Sequence, residues 1–210
     1  MISFLFAFSL LAGQSPAEVR VVNAIVDTDW VSLTVSDATW SGVPYGQRTP
    51  YAPLAGGSGY AAVIGRRGER IANEVSLKIQ PGYPHTVIFS GFPTQKGRFT
   101  PIVIRDSTAG KPANSVVQIQ FVNALSDAQS VSILLNGKKF RQSPVLKFGE
   151  SSALIGYDPR EYAIEIQNIS GESWWKTSFK ANGGTRYAAI VMGAFGESGN
   201  RAPRIFFYAF

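Results

Sequence analysis

The sequence predicts an all-β fold, two tandem immunoglobulin-like antiparallel β-sandwiches, and three observations lead to this prediction. Apolar and polar residues alternate in short runs such as "VSLTV", "VSLKIQ" and "HTVIF", as expected for half-buried strands. Clusters of Gly, Pro, Asn and Asp separate the runs, and no stretch shows a capped helical stripe. The pattern also recurs, because "VRVVNAIVD" at 19–27 is matched by "IQFVNALSD" at 119–127.

The repeat extends along the chain with nearly constant spacing. A Tyr-Gly pair at 45 corresponds to a Phe-Gly pair at 148, and "YAAVI" at 60 corresponds to "YAIEI" at 162. A period this long indicates a duplicated domain, since solenoid repeats recur every 20 to 50 residues or so. About seven short strands in each copy is typical of an immunoglobulin-like sandwich. We therefore expect a first sandwich over 18–106, a polar linker over 107–115 and a second sandwich over 116–210.

Residues 1–17 have the pattern of a secretory signal peptide. An apolar run is followed by small residues, and Ser15 with Ala17 forms a small-x-small cleavage site before Glu18. The run is shorter than the roughly 18 residues of a spanning helix, so we expect no transmembrane segment in the mature chain. The sequence contains no Cys, so an exported protein of this kind must rely on packed cores rather than disulfides. The predicted location is periplasmic or at the cell surface.

The twin motif is predicted to mark the end of the first strand in each sandwich. Asn23 and Asp27 flank that end in the first copy, and Asn123 and Asp127 occupy the same places in the second. Short side-chain oxygens at such positions bond nearby backbone N–H groups and stabilise an Asx-type turn. A calcium site needs six to eight oxygen ligands, and too few carboxylates lie nearby to favour one.

The sequence offers no catalytic motif, and we expect a protein that is not an enzyme. The only histidine is His85, so Ser-His-Asp or Cys-His catalysis would have to use it. Its counterpart in the second copy is Tyr187, which favours a packing position with a polar tip over a general base. Phosphate-binding, dinucleotide-binding and zinc-binding patterns are missing from the sequence, so no cofactor and no metal are expected.

Basic residues and one tryptophan are the candidate binding residues. The chain carries a formal charge of +6, and each predicted sandwich with its share of the linker has ten basic and seven acidic residues, hence +3. The densest basic stretches are predicted turns, and the residues concerned are Arg66, Arg67, Arg70, Lys138, Lys139 and Arg141. Solvated turn residues that keep an exported protein soluble are the alternative interpretation.

The stretch "GESWWKTSF" supplies the tryptophan. Strand alternation places Trp175, Thr177 and Phe179 on the core face, so Trp174 is predicted to point outward beside Lys176. An exposed indole beside a cation suits a sugar ring or a protein partner, and packing against the other sandwich is the alternative.

The twin motif, the Tyr/Phe-Gly pair and two spaced glycines in each copy resemble the domain of unknown function 4397 family. The residues that carry the resemblance are Asn23, Ala24, Asp27, Tyr45, Gly46, Gly82, His85 and Gly91, then Asn123, Ala124, Asp127, Phe148, Gly149, Gly184, Tyr187 and Gly193. The resemblance implies an exported, surface or periplasmic β-sandwich without assigned activity. The two-sandwich layout is also similar to that of the periplasmic accessory protein of alginate O-acetylation.

Together these features predict a non-catalytic exported module of the cell envelope, structural or binding, with an acidic polysaccharide or an envelope protein as partner. The alternative is an accessory subunit of exopolysaccharide O-acetylation. Nucleic acid is not an expected partner, because the chain has an export signal and no recognised nucleic-acid-binding motif.

Overall fold

The computed structural model describes residues 16–26, 28, 30–54, 57–64, 75–92, 99–106, 110–127, 130–139 and 145–210. Within these ranges the chain forms sixteen strands and one 3₁₀ turn, Gly199–Arg201. The first eight strands are β1 (Ala17–Ile25), β2 (Trp30–Val35), β3 (Ala38–Pro44), β4 (Ala52–Leu54), β5 (Gly57–Ile64), β6 (Val75–Ile79), β7 (Pro84–Gly91) and β8 (Phe99–Arg105). The second eight are β9 (Val117–Asn123), β10 (Ser132–Leu135), β11 (Lys138–Lys139), β12 (Ile155–Tyr157), β13 (Glu161–Gln167), β14 (Ser173–Lys180), β15 (Arg186–Met192) and β16 (Arg204–Ala209).

The strands form four sheets of four, and the two halves of the chain repeat one strand order. The first half contains an inner sheet β4-β1-β7-β8 and an outer sheet β3-β2-β5-β6. The second half contains an inner sheet β12-β9-β15-β16 and an outer sheet β11-β10-β13-β14. The predicted fold class, all-β with two β-sandwiches, is confirmed.

One detail of that prediction is wrong, because the sheets are not purely antiparallel. In each inner sheet the first strand pairs in parallel with the next-to-last strand, β1 with β7 and β9 with β15. Within the described ranges each half also has eight strands rather than about seven. Parallel pairing requires a crossover connection, and here the outer sheet supplies it between the two inner strands.

Three apolar cores hold the molecule together, one inside each half and one between the halves. The core of the first half includes Val21, Leu33 and Phe89, and that of the second includes Phe121 and Ile164. The third core lies between the two inner sheets, and its fully or nearly fully buried members include Val22, Ala24, Ile88, Val122, Ala124, Ile190 and Met192. The two halves therefore pack face to face through their inner sheets.

This packing explains why consecutive residues of an inner strand can both be apolar and buried. Val21 faces the core of the first half, whereas its neighbour Val22 faces the interface between the halves. Strands buried on both faces lose the alternation of apolar and polar residues that a half-exposed strand shows. The repeated sequence "VVNA" and "FVNA" therefore encodes two buried faces rather than one.

The predicted Asx-type turns are present at the end of both first strands. Asn23 accepts a hydrogen bond from the backbone N–H of Ile25 at 3.0 Å, and Asn123 accepts one from Leu125 at 3.1 Å. Each amide also donates across the sandwich, to the carbonyls of Val43 and Leu146 respectively, both at 2.9 Å. Both Asn side chains are fully buried and serve the fold. Asp27 lies outside the described residues.

The structure describes residues near the predicted ends of the signal peptide and of the linker. Ala17, the last residue of the predicted signal peptide, is fully buried in β1, and residues 1–15 lie outside the described residues. Between Arg105 and Val117 the described residues contain no strand, and 107–109 are not among them. No helix in the described ranges has the length and apolar character that crossing a membrane requires.

Candidate binding cleft between the sandwiches

A buried arginine lies at the centre of the cleft that opens between the two halves. Arg20 is on β1, on the face that looks toward the second half, and is only 4% exposed. Its Nε donates a hydrogen bond to the hydroxyl of Thr86 at 2.8 Å, and its Nη2 lies 3.6 Å from the Asp106 carboxylate. Because a buried charge is costly unless paired and hydrogen-bonded, these partners account for the tolerance of Arg20 in an apolar strand.

The carboxylate of Asp106 organises the groups around it. Its Oδ2 accepts hydrogen bonds from Thr86 at 2.7 Å and from the phenol of Tyr51 at 2.6 Å. Burial, followed by the hydrogen bond to Asp106, raises the pKa of Tyr51, so the phenol stays protonated and continues to donate. The Tyr51 side chain is thereby held at its hydroxyl end.

Two aromatic rings enclose the guanidinium of Arg20. It lies 4.6 Å from the ring centroid of Tyr51 and 5.4 Å from that of Phe210. Cation–π contacts of this kind stabilise by about 0.5 to 2 kcal/mol each, more when desolvated. Tyr51 keeps 37% of its surface exposed, so it forms an aromatic surface at the cleft.

Arg48 is the exposed cation of the cleft. It is bridged to Val22 of β1 in an antiparallel pair, which directs its side chain toward the second half. Its Nη1 donates to the carbonyl of Ala209, and its guanidinium lies 5.8 Å from the ring of Tyr208. Burial, and next the positive charge of Arg20, lower the pKa of Arg48. Two guanidinium groups thus lie close enough to repel, and an anion placed beside them would relieve that repulsion.

The cleft has a volume of about 620 Å³, within the range of small-molecule binding sites. Its lining residues are Glu18, Arg20, Arg48, Thr49, Pro50, Tyr51, Pro84, Asp106, Ala209 and Phe210. Residues from both halves contribute, so the cleft exists only when the halves are packed together. The cleft therefore presents the guanidinium of Arg48 and the ring of Tyr51 to a ligand. The charges of Arg20 and Asp106 next to them neutralise each other.

Polar contacts across the interface fix the two walls of the cleft relative to each other. The Ser90 hydroxyl donates to the carbonyl of Ala124 at 2.8 Å, and the Tyr208 hydroxyl donates to that of Gly46 at 2.8 Å. Gly46 has a φ of +72°, and a Cβ there would lie 2.5 Å from the Phe206 ring. Glycine is therefore required both for the backbone conformation and for the close approach of the second half.

The basic residues predicted from the sequence do not lie in this cleft as far as the structure describes them. Lys138 and Lys139 form the exposed strand β11, at the edge of the outer sheet of the second half. The turn itself is formed by the two residues before them, Asn136-Gly137, whose φ values of +50° and +72° are typical of a hairpin turn, so the prediction that the two lysines are turn residues is wrong. The remaining predicted cations, Arg66, Arg67, Arg70 and Arg141, lie outside the described residues.

Trp174 does not point outward, and that prediction is wrong. The register shifts between Ile166 and Gln167, which pair with Trp175 and Ser173, so Trp174 is the extra residue of a β-bulge. Two residues of the bulged strand then oppose one on the partner strand, and simple alternation fails. Trp174 is half-buried, packs against the core of the second half and lies 4.7 Å from Phe195, ring centroid to ring centroid.

Trp174 and the basic turn are also separated within their sheet. Lys138 and Lys139 are on the edge strand β11 and Trp174 is on the opposite edge strand β14, with β10 and β13 between them. Three strand spacings amount to about 14 Å. The described residues of the predicted binding surface therefore do not form one continuous patch. Their role in binding stays a prediction.

His85 occupies a packing position, in agreement with the sequence interpretation. It is 3% exposed, its Nδ1 lies 2.9 Å from the carbonyl of Tyr83, and its Nε2 accepts a hydrogen bond from the backbone N–H of Gln80 at 3.4 Å. Tyr187 repeats this contact in the second half, where its hydroxyl accepts from the N–H of Asn182 at 3.5 Å. Both nitrogens of His85 are engaged in supporting a turn.

In the described ranges no group of three His, Asp or Glu side chains is placed to hold a metal ion.

The sequence does not predict the cleft, because the residues that line it come from distant positions, among them 18 to 20, 48 to 51, 106 and 210. One signal was available. Arg20 lies between Val19 and Val21, and a charge in a strand buried on both faces requires a partner.

Comparisons with known proteins place the chain in a family. A search of curated proteins found no match. Among solved structures, the family CBM26 module CBMbc of Eubacterium rectale Amy13K, in complex with maltoheptaose, is similar over 92% of this chain and 97% of that one. The identity is 8% and the TM-score 0.30, so this likeness carries no functional argument. The model of a domain of unknown function, DUF4397, matches residues 17–134, more than half of the chain, and the protein belongs to that family.

Proposed function

We propose that the protein is a non-catalytic, exported binding module of the cell envelope, and that the cleft between its halves binds a segment of an acidic polysaccharide. The observation that supports this most is the pairing of Arg48 with the exposed ring of Tyr51 at one cleft. A guanidinium binds a sugar carboxylate through charge-assisted hydrogen bonds, and an aromatic ring accepts the apolar face of a pyranose.

The polar groups of the cleft favour binding over catalysis. Asp106 is the buried carboxylate, and its Oδ2 is occupied by the hydroxyls of Thr86 and Tyr51 beside Arg20. A carboxylate oxygen that already accepts two hydrogen bonds beside a cation holds its neighbours in place and is not presented to a ligand. His85 uses both ring nitrogens within the fold.

The rigidity of the cleft also favours binding. Its walls belong to two sheets joined by a shared apolar core and by hydrogen bonds from Ser90 and Tyr208. A pre-formed site loses less conformational entropy when a ligand binds than a flexible one does. We therefore expect binding without a large rearrangement.

Calorimetric titration with trigalacturonate, an aldotriouronic acid and maltotriose tests the proposal. We expect one or both acidic oligosaccharides to bind and the neutral one to bind weakly. Arg48→Gln should reduce acidic affinity by about 10- to 100-fold, because a hydrogen bond to a charged group contributes roughly 1.5 to 3 kcal/mol. Raising the salt concentration should weaken binding, since exposed charges are screened over about 10 Å at 0.1 M.

Two further variants locate the site. Lys180→Gln removes one exposed charge at the end of β14, outside the cleft, and should leave the affinity unchanged. A Lys138→Gln, Lys139→Gln double variant tests the turn that the sequence predicts as a binding surface. Loss of affinity in the double variant with full affinity in Arg48→Gln would place binding at that turn and contradict the cleft. Binding of none of the three oligosaccharides would contradict the proposed function.

A further inference from the structure

The acidic residues of the cleft limit how much negative charge a bound ligand can carry. Arg20 and Asp106 form a buried pair, which leaves Arg48 and Glu18 as the exposed charges of the lining. Within the described part of the chain, neither of these two side chains makes an ion pair. The charges of these four side chains therefore cancel, although the protein as a whole is basic.

Glu18 is placed to act on a ligand bound at Arg48. Along β1, Val19 and Val21 face the core of the first half, so Glu18, Arg20 and Val22 share the face toward the cleft. Residues two apart on a strand are separated by about 7 Å. Arg48 lies beside β1 at Val22, four residues after Glu18, so about 13 Å of strand separates these two positions.

Arg48 attracts one carboxylate of a ligand, whereas Glu18 repels a second one. A second carboxylate placed about 7 Å from Glu18 would be repelled by about 0.6 kcal/mol in water and by more near a protein surface. A ligand with one charge can place it at Arg48 and lay neutral rings along the rest of the cleft. A ligand with a charge on every ring must place a second one near Glu18.

We infer that the cleft selects a saccharide whose carboxylates are isolated, a single uronate flanked by neutral sugars, and that Glu18 sets this preference against densely charged polymers. The inference rests on the proposed function, because it names the ligand class of the same cleft. The planar fork of Arg48 suits a planar carboxylate, and Tyr51 offers its exposed ring to a neighbouring sugar.

The test uses three trisaccharide probes that carry no, one or three carboxylates, and the acid and its ester share the same sugars. An aldotriouronic acid carries one carboxylate, its methyl ester carries none, and trigalacturonate carries three. For the full chain we expect the single acid to bind about tenfold more tightly than its ester, which corresponds to one net charge-assisted contact. Trigalacturonate should bind no more tightly than the single acid, despite its threefold charge.

The decisive variant is Glu18→Gln, which keeps the shape of the side chain and removes its charge. It should raise the affinity for trigalacturonate by about tenfold and that for the single acid by about threefold at most, as expected from the number of repulsions relieved. Thermal unfolding of the variant checks that the fold is kept. Glu161→Gln, an exposed residue of β13, is the matched control and should leave the ratio of the two affinities unchanged.

The outcomes separate the two proposals. Affinity that rises in proportion to charge, with the same ratio in Glu18→Gln, would overturn the selectivity and leave the cleft as an acidic-polysaccharide site. An equal gain for both acids in Glu18→Gln would also overturn it. The absence of binding by every probe would instead overturn the proposed function. A reversed preference in Glu18→Gln, with trigalacturonate the tighter ligand, would support the inference.

Discussion

Among single residues, His85 shows how one position carries different chemistry in the two halves. Burial, as the largest cause, lowers the pKa of His85, and the nearby Arg105 acts in the same direction. Tyr187 occupies the corresponding position and makes the corresponding contact with a neutral hydroxyl. The fold therefore needs a neutral acceptor here, and a histidine meets that need only while it is unprotonated.

The stability of the protein should accordingly depend on pH through His85. Its pKa in the folded state lies below the unfolded value of about 6.5, so the unfolded chain takes up the proton first. This contribution is complete above about pH 6.5 and is lost as the pH falls through the folded pKa. Urea unfolding of wild type and His85→Tyr between pH 8 and 5 measures it. A variant that loses as much stability as wild type below pH 6.5 would contradict the prediction.

Among elements, the bulge in β14 decides what faces the core. Trp174 is inserted opposite the register shift at Ile166 and Gln167, so both neighbouring tryptophans pack against the core of the second half. Trp174 also contacts Phe195, whose backbone N–H donates to Asp127 at 2.8 Å. The bulge therefore joins the edge of the outer sheet to the loop that follows β15. In the described ranges the indole N–H of Trp174 has no hydrogen-bond partner.

The change Trp174→Ala tests this placement. We expect a loss of about 2 kcal/mol in the free energy of unfolding, below the 3 to 5 kcal/mol of a fully buried aromatic side chain, because Trp174 is half-buried. Trp174→Phe keeps a ring and removes the unpaired N–H, so its cost should be smaller. Chemical denaturation monitored by circular dichroism measures both. Unchanged stability in Trp174→Ala would indicate that the indole lies outside the core after all.

For the whole molecule, the core between the halves is as important as the two cores within them. The inner sheets bury Ile88 and Ile190 completely, on faces that would be exposed in a separated half. Burial of an aliphatic side chain contributes about 1.5 to 3 kcal/mol, and several such residues line the interface. Interfaces between domains are usually more polar, and relative motion is then expected. Here the two halves should behave as one unit.

Calorimetry tests this cooperativity. We expect a single unfolding transition for the wild-type chain, with equal calorimetric and van't Hoff enthalpies. Ile190→Ala should lower the stability of the whole chain by about 2 to 5 kcal/mol, since the cavity weakens a shared core. Two separate transitions in the wild-type chain would show that the halves unfold independently. A variant that destabilises only one of two transitions would lead to the same conclusion.

The candidate binding residues differ in how far their positions could be predicted from the sequence. The sequence marks Trp174 as a candidate through its neighbours Trp175 and Lys176, yet its direction depends on a bulge that shifts the register by one residue. The sequence predicts the hairpin turn next to Lys138 and Lys139, because a turn is defined by adjacent residues such as Asn136 and Gly137, although the two lysines themselves lie in the strand that follows it. The cleft was not predicted, because Arg48, Tyr51 and Phe210 meet only after the two halves pack.

The sequence by itself determined the all-β class, the duplicated strand pattern, the turns at Asn23 and Asn123 and the structural role of His85. Each of these depends on local periodicity or on comparison of the two copies, and both are readable along the chain. Only the tertiary structure decided the parallel pairing of β1 with β7, the inward position of Trp174 and the cleft around Arg20. Such features arise from contacts between residues far apart in sequence, and the periodicity of one strand contains no information about which strand or sheet will cover it.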